Sequence, residues 1–321
     1  MLDRPLHFTP YLKSVIWGGE RIAPYKGIET DQTSIGESWE LSAVPGHVSV
    51  VDRGPFEGRS LTDLIAAYKA DLVGAEIYDR FGTAFPLLIK FIDAKADLSV
   101  QVHPDDELAA LRHNCPGKTE MWQIMETAPE AKIYVGLKEP ITPEDYERRV
   151  ADNTIMDVID AYDSKPGDTF FLPAGRIHAI GAGILLAEIQ ETSDITYRIY
   201  DYDRRDKDGN PRELHTSQAR DAIDYTVHSD YKSHPEGSLL ADCAHFVTRR
   251  FVQADGCVDI PRDRDSFTII ICLDGEAEIS WTGTDGAEGS QKISRGETWL
   301  FPAVLRGLVF SGKGEILSVQ A

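Results

Sequence analysis

The chain is short of positive charge. Against 53 aspartates and glutamates it sets 33 lysines and arginines, a formal net charge of −20 over 321 residues. A surface so acidic argues against nucleic acid or an anionic membrane as partner, because either would need a basic face to displace counterions. An anionic small molecule would have to be met by a few local cations. Cysteine is scarce too: Cys115, Cys243, Cys257 and Cys272 stand apart, without Cys-x-x-Cys spacing, which favours reduced thiols over a disulfide frame or zinc knuckle. No apolar run is long enough to span a bilayer and no apolar leader is visible, so a cytoplasmic protein is expected. What is present in plenty is hydrophobic residue, 42% of the chain, enough at this length for about two domains.

From Leu6 to about Asp52, short extended pieces punctuated by Gly18, Gly19, Pro24, Gly27, Gly36, Pro45 and Gly46 predict antiparallel β structure. Trp17 and Trp39 in this region read as core or pocket wall. Between Ser60 and about Phe81 the period becomes helical, with Leu61, Leu64, Ile65, Tyr68 and Leu72 on one face, Ser60 as N-cap and Asp63 at the capping-box distance. Phe85 to Ile92 is a nearly continuous apolar strand broken by Lys90, which with Lys95 is expected in water. Thr142-Pro143-Glu144 opens a second helix, with Thr142 as cap and Pro143 in its first turn. The segment from Asp203 to His215 is a charged loop, and Asp221 to His234 a linker or poorly patterned crossing.

Candidate chemistry begins at Leu98-Ser99-Val100-Gln101-Val102-His103-Pro104. Alternation puts Gln101 and His103 on one face of a strand, and Pro104 ends it, leaving Asp105, Asp106 and Glu107 in the first turn of a short helix. A lone Gln-x-His is more often a polar strand face than a metal site. Its weight comes from two other places. Lys118 and Glu120 enter a strand from the Pro116-Gly117 turn. Gly167-Asp168-Thr169-Phe170-Phe171-Leu172-Pro173-Ala174-Gly175-Arg176-Ile177-His178 bends a strand end so as to present one imidazole. That spacing, Gly-x5-Pro-x-Gly-x2-His, resembles the second sequence motif of the cupins. The fold class it implies is mainly β, two cupin (jelly-roll) β-barrels with a few inserted α-helices.

Gly296-Glu297-Thr298-Trp299-Leu300-Phe301-Pro302-Ala303 repeats Gly167 to Ala174, an internal duplication. In the second copy Val304 and Gly307 stand where Gly175 and His178 would be, so one barrel is expected to be chemical and the other structural. The pattern resets near Leu239, giving a metal-binding unit over 1–238 with helical insertions and a degenerate cupin unit over 239–321. Gln101, His103, Glu120 and His178 together offer two nitrogens and two oxygens, a set suited to Zn²⁺, with Fe²⁺, Mn²⁺ or Co²⁺ as competitors. His113 is expected to face out, and the other histidines lack comparable spacing.

Gly36 to Glu40, Phe85 to Lys90, Gln101 to Asp105, Gly117 to Trp122, Gly175 to His178 and Ser193 to Arg198 together resemble the type I mannose-6-phosphate isomerases of the short bacterial kind. The resemblance implies one zinc per chain held by Gln101, His103, Glu120 and His178, an active-site arginine at Arg198, and reversible interconversion of mannose 6-phosphate and fructose 6-phosphate. Such a reaction moves a proton between C2 and C1 through an enediol, and needs a base together with positive charge over the two oxygens. Arg198 is too basic to take a proton, so its role is to stabilise the enediolate or hold the sugar phosphate. Glu188 or Lys118 is the base, and the residues leave that choice open. Two other readings share the fold: a metal-dependent cupin dioxygenase, and a non-catalytic sugar-phosphate-binding cupin.

Overall fold

In the computed structural model, which describes residues 2–205, 209–229 and 231–321, the strands form three antiparallel sheets of eight, seven and five strands. The expected loop over 203–215 lies outside the described residues at 206–208, and the 221–234 crossing does so at 230. The seven-stranded sheet runs in the order Lys232–Ser233, Thr169–Leu172, Glu120–Thr127, Ile184–Glu191, Leu87–Ala94, Tyr11–Gly19, Ile35–Leu41. The five-stranded sheet runs Tyr197–Tyr200, Val100–Val102, His178–Ile180, Lys132–Leu137, Ile159–Asp163. These two face each other across a core of Ile92, Ile124, Ile133, Phe170, Leu172 and Leu186, and make the first barrel. Alternation along each strand sends one side chain in two to that core.

The second barrel is built on the long strands Thr268–Thr282 and Arg306–Gln320, around Phe251, Ile270, Trp281, Phe301 and Phe310. Its sheet also takes Leu6–His7 from the far end of the chain, paired with Thr298–Phe301. The duplicated motif folds alike in both barrels. Gly167 and Gly296 each hold a left-handed φ, +90° and +83°, at the turn that starts the strands Thr169–Leu172 and Thr298–Phe301. The acidic residue that follows each glycine closes the turn, Asp168 accepting from the Lys165 amide and Glu297 from that of Ser294.

Helix starts follow the caps read from the sequence. Ser60 accepts from the Asp63 amide and Thr142 from that of Asp145, with Pro143 at the start of Pro143–Ala151. Asp105 is itself the cap of Asp106–His113 rather than a first-turn residue. The single helix expected from Ser60 to Phe81 is three pieces, Leu61–Tyr68, Ala70–Val73 and Ala75–Phe81. The chain breaks at Lys69 and again at Gly74, where a Cβ would meet the Asp265 carbonyl oxygen at 2.1 Å. Docking against the second barrel overrides the helical period. A short helix, Thr216–Ala222, stands between the expected loop and the expected crossing and reaches into the latter by two residues, and no helix among the described residues is long and apolar enough to cross a membrane.

Candidate metal centre

The site is one row of residues from each sheet of the first barrel. On the five-stranded sheet, Gln101 pairs with His178 on one side and Arg198 on the other. On the seven-stranded sheet, Glu188 stands between Trp122 and Lys90, and Lys90 in turn pairs with Trp39. A cavity of about 430 Å³ opens between the rows, lined among others by Gln101, Lys118, Glu188 and Arg198. Trp17 and Trp39 form part of its wall, in keeping with the sequence reading.

Backbone hydrogen bonds stitch the ligand-bearing segments together. The Gly175 amide donates to the His103 carbonyl at 2.9 Å, and that of Lys118 to the Pro104 carbonyl at 3.1 Å. Gly175, at φ +88°, makes the bend that delivers His178. Gly117 lets the next segment pass close by, since a Cβ there would meet the Asp106 nitrogen at 2.5 Å.

His103, Glu120 and His178 are all buried, and one ligand atom from each lies within 4.8 Å of the others. Each imidazole bonds through Nδ1 to a backbone carbonyl at 2.9 Å, His103 to Ile195 and His178 to Arg176. With Nδ1 carrying the proton, both Nε2 lone pairs point into the site, the orientation a metal ligand requires. Burial first, then the Lys118 ammonium, holds His103 far below its ordinary pKa and His178 down at about 3, so both rings are neutral. Glu120 Oε1 has no hydrogen-bond partner although wholly buried, and lies 3.3 Å from His178 Nε2. Glu120 Oε1, buried beside the His178 Nε2 lone pair, is thus an acceptor facing an acceptor with no donor of its own. A divalent cation fits that cluster.

Gln101 Nε2 approaches His178 Nε2 at 3.2 Å, and a half-turn of the amide exchanges this nitrogen for Oε1, a usable ligand oxygen. All four residues expected as metal ligands therefore converge. Lys118 Nζ bonds Glu120 Oε2 and lies 3.0 Å from His103 Nε2.

Glu188 faces the cavity, where its Oε1 accepts from the Trp122 indole at 2.9 Å and Oε2 lies 3.1 Å from Lys90 Nζ. Burial opposes its ionisation, yet Lys90, Lys118 and the indole N–H outweigh burial and hold Glu188 at about 2. Arg198 lines the cavity from the facing sheet, and its Nη1 donates to the Glu213 carbonyl at 2.9 Å.

Lys90 corrects the sequence reading, which put it in water. It is buried, ion-paired to Glu188 and, at 3.6 Å, to Glu37, and these carboxylates raise its pKa against the pull of burial. The signal was there: a continuously apolar strand is covered on both faces, so a lysine inside it must be covered too. Lys95 is exposed as expected. His113 is exposed but not idle, its Nε2 lying 2.7 Å from the Tyr197 hydroxyl. Glu37, Lys13 and Arg212 also line the cavity, and sequence reasoning singled out none of them.

The fold and this convergent cluster define a cupin with one buried His–Glu–His site, in the first barrel, among the described residues. Residues 6–135 match the model of the phosphomannose isomerase type I catalytic domain. Mannose-6-phosphate isomerase ManA of Bacillus subtilis is 34% identical over 99% of both chains, and mannose-6-phosphate isomerase of Streptococcus mutans 32% identical over 99% of this chain and 98% of that one. The crystal structure of the mannose 6-phosphate isomerase from Bacillus subtilis superposes with a TM-score of 0.86 at 28% identity, covering 99% of each chain. The chain belongs to the type I mannose-6-phosphate isomerase family.

Proposed function

We propose that this chain interconverts mannose 6-phosphate and fructose 6-phosphate through an enediol, with one zinc ion held by Gln101, His103, Glu120 and His178. The observation that carries the reading is the buried cluster of two neutral imidazoles and an orphaned carboxylate oxygen, joined through Gln101 and Lys118 to a cation-lined cavity. Two nitrogens and two oxygens suit zinc ahead of iron, manganese or cobalt. When bound, the ion supplies Lewis acidity toward the substrate oxygens.

The chain's own residues do the rest. Arg198 keeps its charge at any working pH and lines the cavity, so it stabilises the enediolate or holds the sugar phosphate. Glu188, held ionised at about 2 by Lys90 and Trp122, is a weak base at neutral pH and serves as a fixed anion. That leaves Lys118 for the proton exchanged between C2 and C1, in its neutral form: the ammonium bonded to Glu120 must give up a proton before it can take one from carbon. Trp17, Trp39 and Trp122 wall the cavity and limit the water that reaches the reacting carbons. We take 1–238 as the metal-binding unit, 239–321 as a degenerate cupin unit, and the cytoplasm as its location.

The test follows fructose 6-phosphate formed from mannose 6-phosphate, with and without chelator. Loss of product on chelation, restored by zinc, is the expected result. No product with any metal would leave a sugar-phosphate-binding protein, and oxygen consumption with iron a dioxygenase. Lys118→Met should abolish exchange of the C2 hydrogen with solvent, and Glu188→Gln should slow turnover while leaving exchange measurable.

A further inference from the structure

The cations around the cavity are not equally available to an anion. Lys90 is committed to Glu188 and Glu37, Lys118 to Glu120, and Lys13 to Glu37 at 3.1 Å. Arg198 remains, and so does part of the charge of Arg212, whose carboxylate partner Asp201 is shared with Arg204, on the wall formed by Tyr197–Tyr200 and the segment that follows it. Arg198 Nε is buried without a hydrogen-bond partner, and Arg198 is depressed by burial first and then by Arg212, two like charges held close together.

Holding two guanidinium groups side by side is unfavourable unless something fixes them. Asp201 does so. Its buried carboxylate accepts Arg212 Nε at 2.7 Å and Arg212 Nη2 on the other oxygen, a two-point fork that leaves Nη1 outside the clasp. The same carboxylate also binds Arg204, at 3.1 Å from Nε, and Arg204 Nη1 bonds the Asp97 carbonyl, which anchors the cluster to the barrel. One anion for two arginines leaves a single positive charge, and Arg198 adds a second. Asp194, on the same wall, is exposed to water, which screens it. In a chain carrying −20 overall, this is a local site for a group of charge near −2.

We infer that Arg212, held by the Asp201 clasp beside Arg198, anchors the phosphate monoester of the substrate, and that Asp201 is a positioning residue for it. This rests on the sugar-phosphate reading above, and the geometry supplies a reason for it: a fork clamped on two nitrogens presents the third at a fixed angle. The clasp spends no turnover chemistry, so its effect belongs in KM and not in kcat.

Two measurements test it in the full chain. For Arg212→Gln, KM for mannose 6-phosphate should rise about tenfold to a hundredfold with kcat falling far less, and inhibition by inorganic phosphate should weaken by a similar factor. Asp201→Asn should reproduce the KM effect in smaller measure at unchanged metal content, and Asp201→Glu should recover part of it. Arg204→Met shares the clasp but does not line the cavity, so its KM should stay within about threefold of wild type. An Arg212→Gln enzyme with wild-type KM and phosphate inhibition overturns the inference, as does an equal KM rise in Arg204→Met. The second measurement needs no turnover: inorganic phosphate should raise the Tm of wild type and not of Arg212→Gln. A phosphate shift that depends on Arg212 in a protein that forms no fructose 6-phosphate would sink the isomerase reading alone.

Discussion

At the scale of single residues the site is governed by who neutralises whom. Lys90 lies over the Trp39 ring at 5.2 Å and between two buried carboxylates, while the Trp39 indole donates to Glu37 at 2.7 Å. Replacing Lys90 with Met would leave Glu188 without its ion pair in a covered place and Glu37 with Lys13 alone, and breaking such a pair by removing one partner costs about 3–5 kcal/mol. Urea denaturation should register that loss, and the double variant Lys90→Met with Glu188→Gln should recover part of it. Arg198→Ala tests the opposite situation, a charge whose side chain bonds a backbone carbonyl and none of the candidate metal ligands. We expect it to remove most turnover while zinc content, measured by elemental analysis, stays at one per chain. Normal activity in that variant would refute the assignment of Arg198.

The four candidate ligands were legible at this scale because three short motifs carry them in fixed spacing: Gln-x-His, Lys-x-Glu after a Pro-Gly turn, and Pro-x-Gly-x2-His. Arg212 was not, since it sits in a charged loop with no period to say which way a side chain points. Its partner Asp201 lies eleven residues upstream by the hydrogen bond that joins them, and only folding makes the pair. Glu37 was hidden differently: its strand Ile35–Leu41 is buried along its whole length, so alternation of charged and bulky residues did not mark one face as outer.

Among elements, the strand Thr169–Leu172 matters because its far end leads to His178 and its near end is pinned by a turn. At that turn Asp168 is enclosed, accepts the Lys165 amide at 2.9 Å, and pairs with Lys232 at 2.7 Å and His234 at 3.0 Å. Burial opposes its charge, but the Lys232 ammonium, the Lys165 amide and His234 outweigh burial and hold the carboxyl below its ordinary 3.8. A carboxyl depressed in the folded state stabilises the fold above its unfolded pKa, and loses that contribution as pH falls through the folded value. The Tm gap between wild type and Asp168→Asn should therefore be constant near neutrality and shrink below about pH 4. A gap that widens on acidification would mean that Asp168 is not held in its charged form.

The same scale explains where the periodic reading broke. Leu61, Leu64, Ile65 and Leu72 are all fully buried, so the helical face was right even where the helix was not continuous. Gly74 was the visible sign of a break, with φ +94° and no room for a side chain, and Lys69, at φ +49°, gave none because nothing local demands that conformation. The Gly74 break serves contacts with residues nearly two hundred positions away, such as the bond from the Ala75 amide to Asp265 at 3.0 Å, and in the piece between the two breaks the Val73 carbonyl accepts from the Phe267 amide. Local sequence cannot encode a partner so remote.

For the whole molecule the question is how the second barrel is tied to the one that holds the His–Glu–His cluster. Phe85 leads into the strand that bears Lys90, and its ring lies 4.6 Å from that of Phe267 in the second barrel. Both belong to one continuous core that includes Leu64, Leu72, Phe91, Ile269 and Leu317, so the three helix pieces are mortar between two sheets. Leu6–His7 adds a strand from the opposite end of the chain to the second barrel, and the Tyr25 hydroxyl donates to the Leu273 carbonyl at 2.7 Å. Polar ties reinforce this near the site: Glu191 bonds the Thr119 amide, next to Glu120, at 2.7 Å, and pairs with His245 from the second unit at 2.9 Å. A barrel whose copy of the motif lacks the histidine thus acts as a buttress for the strand that carries a candidate ligand. Unfolding should then be cooperative across both barrels, seen in calorimetry as one transition with equal calorimetric and van't Hoff enthalpies. Phe267→Ala, which removes a fully buried ring at the junction, should cost about 3–5 kcal/mol. It should move that single transition down as a whole and lower the midpoint for loss of isomerase activity with it. Two resolved transitions in wild type, or a Phe267→Ala protein that loses only the second barrel while zinc and activity persist at the wild-type midpoint, would show that the metal-binding barrel stands unaided.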